Sequence, residues 1–294
     1  MSTGTAPARL HHEVLEWYAV SARDLPWRRP DATAWGIFVS EIMLQQTPVA
    51  RVEPVWREWL SRWPSPSALA ADSPGEAVRA WGRLGYPRRA LRLHAAAVAM
   101  AEHHDGAVPA TEAELLTLPG VGTYTAAAVA TFAFGERTTV VDTNVRRVLA
   151  RVVGGQEYAA PSPTRAELAV AAGLVPADPP RARTWSVAVM ELGAIVCTAR
   201  APRCSDCPVA DLCAWRAAGS PPYDGPPRRG QTYAGTDRQC RGRLLGVLRE
   251  AEGPVHVSRL HAAWAIEDQR RRCLDSLVHD GLVTPVAEQM FALP

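Results

Sequence analysis

The sequence predicts an all-α protein that ends in a small segment of mixed helix and strand. Apolar residues recur every three to four positions through most of the first 220 residues, which is the spacing of one helix face. Strand patterns are almost absent before residue 220. Hydrophobic residues make up 47% and charged residues 21% of the 294 residues, a composition that excludes a wholly disordered or fibrous chain.

The net charge of +2 does not by itself indicate a nucleic-acid-binding protein, so any basic surface must be local. All 32 residues counted as Lys plus Arg are arginine, because the chain contains no lysine. Reactions that use a lysine amine are therefore excluded. No apolar stretch reaches the ~18–20 residues of a membrane span, and no secretory signal is evident. We expect a cytoplasmic protein without a membrane partner.

Helical patterns follow one another along the first 220 residues. The first covers residues 11–21 and is broken by the proline-containing stretch 25–30. The next covers residues 34–63, with Pro48 and Pro54 expected at turns or helix starts. Further helices are predicted over residues 73–81, 88–103, 111–116, 124–134, 144–153, 164–173 and 181–196.

The pattern changes after residues 219–235, which are rich in proline and glycine and predict a linker. Helices are predicted over 238–250, 257–264 and 267–280, followed by a hairpin of residues 282–285 with 289–293. This order predicts a winged helix-turn-helix, with a small helical cap as the alternative. The run Arg270, Arg271 and Arg272 is either a phosphate-facing patch or a solvated helix face.

Four of the six cysteines lie close together, at Cys197, Cys204, Cys207 and Cys213. Four thiolates without a histidine suit a soft metal centre. A cubane iron–sulfur cluster tolerates this uneven spacing, whereas structural zinc is usually bound by two close cysteine pairs. Zinc and a pair of disulfides remain alternatives, but the spacing favours the cluster. Cys240 and Cys273 are expected to be buried thiols.

The segment LPGVGT at residues 118–123 lies between two predicted helices. Its glycines permit a tight turn whose main-chain N–H groups face outward at a helix N-terminus, which can bind a phosphate. The segment therefore predicts a helix-hairpin-helix turn with Gly120, Gly122 and Thr123 at the phosphate. An ordinary helix–helix turn is the alternative.

Two acidic residues occupy positions suited to catalysis. Asp142 is predicted to cap the helix that follows it, and such a cap fixes the direction of a carboxylate. Glu41 lies among Val39, Ile42 and Met43, which favours partial burial and a raised pKa. Simple capping by Asp142 and a solvated position for Glu41 are the alternatives.

Together these motifs resemble the endonuclease III superfamily of DNA glycosylases, and within it the MutY-type adenine glycosylases. The resemblance covers about residues 10–220 and includes LPWR, SEIMLQQT, LGY, GVGTYTA, ELGAIVCTAR and the four-cysteine loop. It implies the helix-hairpin-helix DNA glycosylase fold, with a helical barrel domain at 32–138. An iron–sulfur cluster domain would combine residues 1–31 with 139–220, leaving a substrate cleft between the two domains. A linker at 221–236 and a winged-helix-like domain at 237–294 would follow.

The resemblance also implies catalytic roles. Glu41 would be the general acid that protonates N7 of adenine. Asp142 would stabilise the oxocarbenium-like sugar or trap it covalently, and Tyr124 would support that site. A flipped-out adenine leaves poorly as an anion, and the sugar left behind is cationic, so two carboxylates fit this chemistry.

Other matching residues acquire binding roles by the same resemblance. The base pocket would be lined by Trp27 and Arg28. The hole in the duplex would be filled, and the mispaired partner held, by Gln45, Gln46 and Tyr86. Phosphates would be met by Arg200 and Arg203. A [4Fe–4S] cluster would be held by Cys197, Cys204, Cys207 and Cys213.

The predicted protein is thus a monofunctional adenine glycosylase of base excision repair. It would act as a monomer on double-stranded DNA with adenine opposite 8-oxoguanine or guanine, before a separate abasic-site endonuclease. A thymine or uracil mismatch glycosylase and a non-catalytic iron–sulfur DNA-binding module are the alternatives.

The sequence departs from the family in three places. It lacks a Nudix-like pattern after residue 220, has Val187 where Gln or Glu is usual, and has Arg146 where some relatives have lysine.

Overall fold

The computed structural model describes residues 5–225 and 233–294, which belong to two compact units. Among the described residues, the first unit comprises 5–32, 110–116 and 122–225. The second comprises 33–109, 117–121 and 233–294. These divisions differ from the predicted domains after residue 109, and the domain boundaries stay a prediction. Residues 226–232 of the predicted linker and residues 1–4 lie outside the described residues.

Helices provide the regular structure of the described chain up to residue 225, as the all-α prediction requires. In chain order they are α1 (Thr5–Ser21), α2 (Ala34–Leu44), α3 (Val49–Arg62), α4 (Pro66–Ala70), α5 (Pro74–Ala80), α6 (Arg88–His103), α7 (Glu112–Leu115), α8 (Thr123–Phe134), α9 (Thr143–Val152), α10 (Arg165–Gly173), α11 (Pro179–Ile195) and α12 (Ala214–Ala217). Short 3₁₀ turns lie at Pro26–Arg28, Cys204–Asp206 and Ala210–Leu212. None of the described helices is long and apolar enough to cross a membrane.

One local prediction about these helices was wrong, and two short helices were missed. Pro54 lies inside α3, where burial of Trp56 and Trp59 holds the helix together despite the missing N–H donor. The short helices α4 and α12 were not predicted, because four or five residues are too few to show a helical period.

The first unit is built around α1, α9 and α11, whose apolar faces share one core. Its buried members include Leu10, Val14, Val148, Leu149, Trp185, Val189, Leu192 and Val196. Cys197, Cys213 and Trp215 belong to the same core. The end of α11 and the cysteine loop that follows it are therefore anchored on α9.

The second unit contains α2 to α6, and α2 is its central helix. Every residue from Trp35 to Met43 is buried, and α3 and α6 both pack against α2. The side chain of Thr33 accepts a hydrogen bond from Gly36 N–H and starts α2. Trp56 of α3 donates to the carbonyl of Gly36 at 2.7 Å.

The C-terminal segment of the second unit has the element order of a winged helix, as predicted. Its elements are α13 (Asp237–Glu250), β1 (Val255–His256), α14 (Val257–Ala263), α15 (Glu267–His279), β2 (Thr284–Ala287) and β3 (Met290–Ala292). The strands form an antiparallel sheet in the order β1-β3-β2, with Thr284 opposite Ala292. Gly281 ends α15 at a φ of +70°. Strand β1 was not predicted, because two residues carry no alternation.

This winged-helix module packs against α5 and α6 of its own unit. Arg79 donates to the carbonyls of Arg249 and Ala251 at the end of α13, the latter at 2.7 Å. Arg249 donates in return to the carbonyl of Val78 at 2.9 Å. Arg88 forms an ion pair with Asp280 at 3.2 Å.

The three consecutive arginines of α15 are engaged within the module. Arg270 donates to the carbonyl of Trp264 at 2.7 Å. Arg271 pairs with Asp268 at 3.0 Å and Arg272 pairs with Asp237 at 2.9 Å. Arg271 and Arg272 are thus each paired with a carboxylate, whereas Arg270 is bound to main-chain oxygen. The structure therefore favours a solvated helix face over a phosphate-facing patch.

Candidate functional site

Asp142 caps α9 in the first unit, as its position in the sequence predicts. One carboxylate oxygen accepts from Val145 N–H at 2.7 Å, and the other accepts from the Asn144 side-chain amide at 2.7 Å. Burial raises the pKa of the Asp142 carboxyl, while these hydrogen bonds and the Arg147 charge oppose the rise. The carboxylate is therefore fixed in direction and half-buried.

A continuous set of hydrogen bonds leads from Asp142 to the first cysteine. Asn144 accepts from Arg147 Nη2 at 2.7 Å. Arg147 Nε donates to the main-chain carbonyl of Cys197 at 2.7 Å. The start of the cysteine loop is thus linked to the residue that caps α9. Gly193 of α11 permits the close approach of α9, because a side chain at position 193 would meet Asn144 at 2.8 Å.

The four predicted ligands line one partly open pocket in the first unit. Cys197 and Cys213 are buried, and Cys204 and Cys207 are half-buried. Among the described residues, no three His, Cys, Asp or Glu side chains converge as ligands of one metal ion. Four thiols that line one pocket without converging on a single ion position fit a cluster better than a single zinc ion.

Positive charge and burial shape the chemistry of these thiols. Burial raises the pKa of Cys207 to about 11 and also raises the pKa of Cys197. Arg151, which is 1% exposed, donates to the sulfur of Cys197 at 3.4 Å and lies 5.0 Å from the Trp215 ring centroid. Thiolates here require positive charge, which a metal centre supplies when bound.

Arg200 and Arg203 of the cysteine loop are exposed. Arg203 donates to the carbonyl of Ile195 at 2.6 Å and lies 3.6 Å from Asp206. Both guanidinium groups lie on the surface of the first unit. Their contact with phosphate stays a prediction.

The LPWR segment is held in the first unit by Glu191 of α11. Its carboxylate is fully buried and accepts from Arg23 Nε at 2.6 Å and from Arg28 Nη1 at 2.9 Å. Burial opposes ionisation, but the two guanidinium groups outweigh it and lower the pKa of Glu191. Trp27 of the same segment is 5% exposed. Arg28 is thus oriented by a residue that sequence reasoning did not assign.

Two of the departures from the family also lie in the first unit. Val187 is a half-buried residue of α11, next to the buried Ser186. Arg146 pairs with Glu167 at 2.8 Å and donates to the carbonyl of Ala160. Arg146 thereby joins α9 to α10.

The glycine turn has the features expected of a helix-hairpin-helix. Gly120 has a φ of +76°, and a side chain there would meet the Cβ of Arg92 at 2.6 Å. Gly122 is the N-cap of α8 and provides no side chain for the first N–H groups. Thr123 is exposed and Tyr124 is half-buried in the first turn of α8. A helix N-terminus without a capping side chain suits an anion.

Glu41 belongs to the second unit, on the central helix α2. It is 6% exposed and follows Ser40, which is also buried. Glu41 is thus buried, as the apolar residues that flank it in the sequence predict. The role of Glu41 as an acid stays a prediction.

The residues assigned to the opposite base lie in two turns of the second unit. We call residues 45–47, after α2, the α2 turn, and residues 84–87, before α6, the α6 turn. Gln46 and Tyr86 both have left-handed backbones, with φ of 55° and 46°, and both are exposed. Such conformations are uncommon for residues with side chains and often mark functional turns.

Sequence reasoning missed the buried or half-buried groups that hold the site residues in place: Arg89, Asn144, Arg147, Arg151 and Glu191. Their signals were weak, because an arginine on a helix has the same local pattern whether it is solvated or buried. Glu191 does lie in the ELGAIVCTAR motif, and Asn144 and Arg147 follow Asp142 directly. A search for partners of each motif acid would have considered them.

The chain matches two protein-family models. Residues 39–172 match the HhH-GPD superfamily of base excision DNA repair proteins, and residues 197–213 match the iron-sulfur binding domain of endonuclease III. The second match starts at Cys197 and ends at Cys213. The cysteine loop is therefore the site of a [4Fe–4S] cluster.

Individual relatives give a consistent result. The adenine DNA glycosylase of Mycobacterium tuberculosis H37Rv is 57% identical over 283 residues, which cover 96% of this chain and 92% of the relative. That of Mycolicibacterium smegmatis is 56% identical over 282 residues, covering 96% and 94%. The structure of a thermostable thymine-DNA glycosylase matches with a TM-score of 0.67 and 27% identity, covering 74% of this chain and all of that one. The chain thus belongs to the adenine DNA glycosylase family, within the HhH-GPD superfamily of base excision DNA repair proteins.

Proposed function

We propose that this protein is a monofunctional glycosylase that removes adenine opposite 8-oxoguanine or guanine in double-stranded DNA. The proposal depends most on the geometry of Asp142, a half-buried carboxylate held in one direction by two donors. Such a group is suited to stabilise a cation that forms beside it. The family relationship supports adenine as the base removed.

The proposed reaction is hydrolysis of the N-glycosidic bond. Glu41 gives its proton to N7 of the flipped-out adenine, and the bond between the base and the sugar breaks. Asp142 stabilises the oxocarbenium-like sugar or adds to it covalently, and water then supplies the hydroxyl group of the abasic sugar. The remaining proton of that water restores the acid. Tyr124 supports Asp142, and Trp27 and Arg28 line the base pocket.

The other assigned residues hold DNA in this proposal. Gln45, Gln46 and Tyr86 occupy the space left by the flipped base and contact its former partner. Gly120, Gly122 and Thr123 meet the phosphate backbone through main-chain N–H groups. Arg200 and Arg203 add phosphate contacts from the cysteine loop. Cys197, Cys204, Cys207 and Cys213 hold the cluster, which keeps that loop folded.

A thymine or uracil mismatch glycosylase is the second candidate. Two observations favour it, namely Val187 in place of a pocket Gln or Glu and the likeness to a thymine-DNA glycosylase structure. Glu41 favours adenine, because protonation assists a purine that leaves poorly as an anion.

Base release from four defined duplexes tests the proposal. The duplexes contain adenine opposite 8-oxoguanine, adenine opposite guanine, thymine opposite guanine, and uracil opposite guanine. We expect release from the first two alone. Release from the last two alone would establish the second candidate, and tight binding without any release would indicate a non-catalytic DNA-binding protein.

A further inference from the structure

The buried guanidinium of Arg89 lies where the two turns of the second unit meet. Arg89 is in the first turn of α6 and is 5% exposed. Its five oxygen acceptors come from both turns and the end of α2. Nη1 donates to the carbonyls of Ile42 and Met43 at 2.9 Å and Gln45 at 2.7 Å, and Nη2 donates to Thr47 Oγ1 at 2.9 Å and the Gly85 carbonyl at 3.0 Å.

Each turn holds a strained residue next to an atom that Arg89 binds. Gln46, with a φ of 55°, lies between Gln45 and Thr47. Tyr86, with a φ of 46°, follows Gly85. Strained backbones of this kind persist only where the surrounding structure holds them in place. Arg89 provides five of the contacts that do so.

Two further contacts support the same arrangement. The ring centroid of Tyr86 lies 5.6 Å from the Arg89 guanidinium carbon, within the range of a cation–π interaction. Thr47 Oγ1 lies 3.3 Å from the carbonyl of Leu84, so the α2 turn also contacts the α6 turn directly. A lysine could not reproduce the main contact, because its ammonium is one atom, whereas a guanidinium donates from separate nitrogens.

We infer that Arg89 is a positioning residue that holds the α2 and α6 turns together so that Gln45, Gln46 and Tyr86 can contact the base opposite the excised adenine. This inference rests on the proposed function, because the three side chains have that role only in a mismatch glycosylase. Arg89 acts through main-chain oxygens and Thr47. Loss of the Arg89 guanidinium should therefore impair recognition of the opposite base by more than the accompanying loss of folding stability explains.

The test compares two duplexes under single-turnover conditions with the full chain. One has adenine opposite guanine, and the other has adenine opposite a tetrahydrofuran analogue that lacks a base. Wild-type protein should release adenine faster from the first. Arg89→Lys should reduce the ratio of the two rates by about 10- to 100-fold, because small displacements of positioning groups have effects of that size.

Arg79→Lys is the matched control, since Arg79 also donates to main-chain carbonyls in the second unit but contacts α13. It should lower the melting temperature and leave the ratio unchanged. Thr47→Val removes the side-chain acceptor between the turns and should lower the ratio even if Arg89→Lys does not fold.

The inference is overturned if folded Arg89→Lys keeps the wild-type ratio. If Arg89→Lys does not fold, an unchanged ratio in Thr47→Val overturns it. It is also overturned if active wild-type protein does not distinguish the two duplexes. Wild-type protein that releases no adenine from either duplex would refute the proposed function itself.

Discussion

Burial and hydrogen bonding have opposite effects on the pKa of the Asp142 carboxyl group. Asp142 is desolvated, which favours its neutral form, but donors from Val145 and Asn144 favour the carboxylate. A catalytic carboxylate of this kind must stay ionised to stabilise a cation. If Asp142 has the proposed role, we expect its protonation to set the acid limit of activity, and its raised pKa to place that limit above the one of a solvated aspartate.

We predict that Asn144→Ala shifts the acid limb of the pH–rate profile to higher pH. The variant removes a donor that stabilises the ionised form, so the pKa of Asp142 rises further and activity is lost sooner on acidification. Single-turnover rates across the acidic range measure the shift. Thr143→Ala, at an exposed neighbour, is the control and should keep the wild-type profile. An unshifted profile in Asn144→Ala would count against a catalytic role for Asp142.

Glu41 gives a second prediction at this scale. Glu41→Gln keeps the shape of the buried side chain but removes its proton, so base release should fall by about 10²–10⁴-fold while DNA binding remains. Single-turnover release and binding to an uncleavable duplex separate the two effects. Glu58→Gln, at an exposed glutamate of α3, should be as active as wild type. Near-wild-type release by Glu41→Gln would remove this acid from the mechanism.

At the scale of elements, the cysteine loop depends on α9 as well as on its own ligands. Arg147 and Arg151 are one helical turn apart, and they bind the carbonyl and the sulfur of Cys197. The same helix begins at Asp142. The cluster site and the candidate catalytic carboxylate therefore share one rigid support.

We predict that Cys207→Ser loses the cluster, disorders the loop and weakens DNA binding, because the loop carries Arg200 and Arg203. Iron content, visible absorbance and duplex affinity should fall together. Cys273→Ala is the control, since Cys273 is a buried thiol in the winged-helix module and should leave iron content unchanged. Purified wild-type protein with stoichiometric zinc and no iron would contradict the cluster assignment.

At the scale of the whole molecule, the winged-helix module is an integral part of the second unit. Arg79 and Arg249 exchange hydrogen bonds with carbonyls on opposite sides of their contact. Every residue assigned a catalytic role precedes residue 220. The module thus contributes to stability through these contacts, whatever its part in DNA binding.

We predict that deletion of residues 237–294 leaves base excision measurable but weakens DNA binding and lowers the melting temperature. The deletion uncovers α5 and removes the carbonyls at the end of α13 that accept from Arg79. Arg79→Met should reproduce part of the loss of stability, about 1 kcal/mol in the free energy of unfolding, since it leaves these half-buried carbonyls without their donor. Thermal unfolding measures the loss of stability, and single-turnover release measures the remaining base excision. Complete loss of activity in a truncated protein that still folds would show that the module builds part of the active site.

The absence of lysine leads to a further prediction for the whole chain. Strand cleavage by a glycosylase proceeds through an imine between an amine and the sugar, and arginine is too weak a nucleophile to form it. The product should be an intact abasic strand that breaks only after alkali or a separate endonuclease. High-yield borohydride trapping of a protein–DNA adduct, mapped away from the N-terminus, would contradict this prediction.

Local sequence patterns were sufficient to predict most helices and the motifs that contain the candidate functional residues. The helical period gave the long helices, the position of Asp142 gave the cap of α9, and Gly281 gave the end of α15. The cysteine spacing indicated the cluster. These features depend on residues within a few positions of each other, so they can be recognised without knowledge of the fold.

Tertiary structure alone decided which charged groups support the site. Arg23 meets Glu191 of α11, Arg147 meets the carbonyl of Cys197, and Arg89 meets the end of α2. These partners lie 40 or more positions apart in the chain. Local patterns cannot identify such pairs, because a buried guanidinium finds its acceptors only where packed elements bring distant main-chain oxygens together.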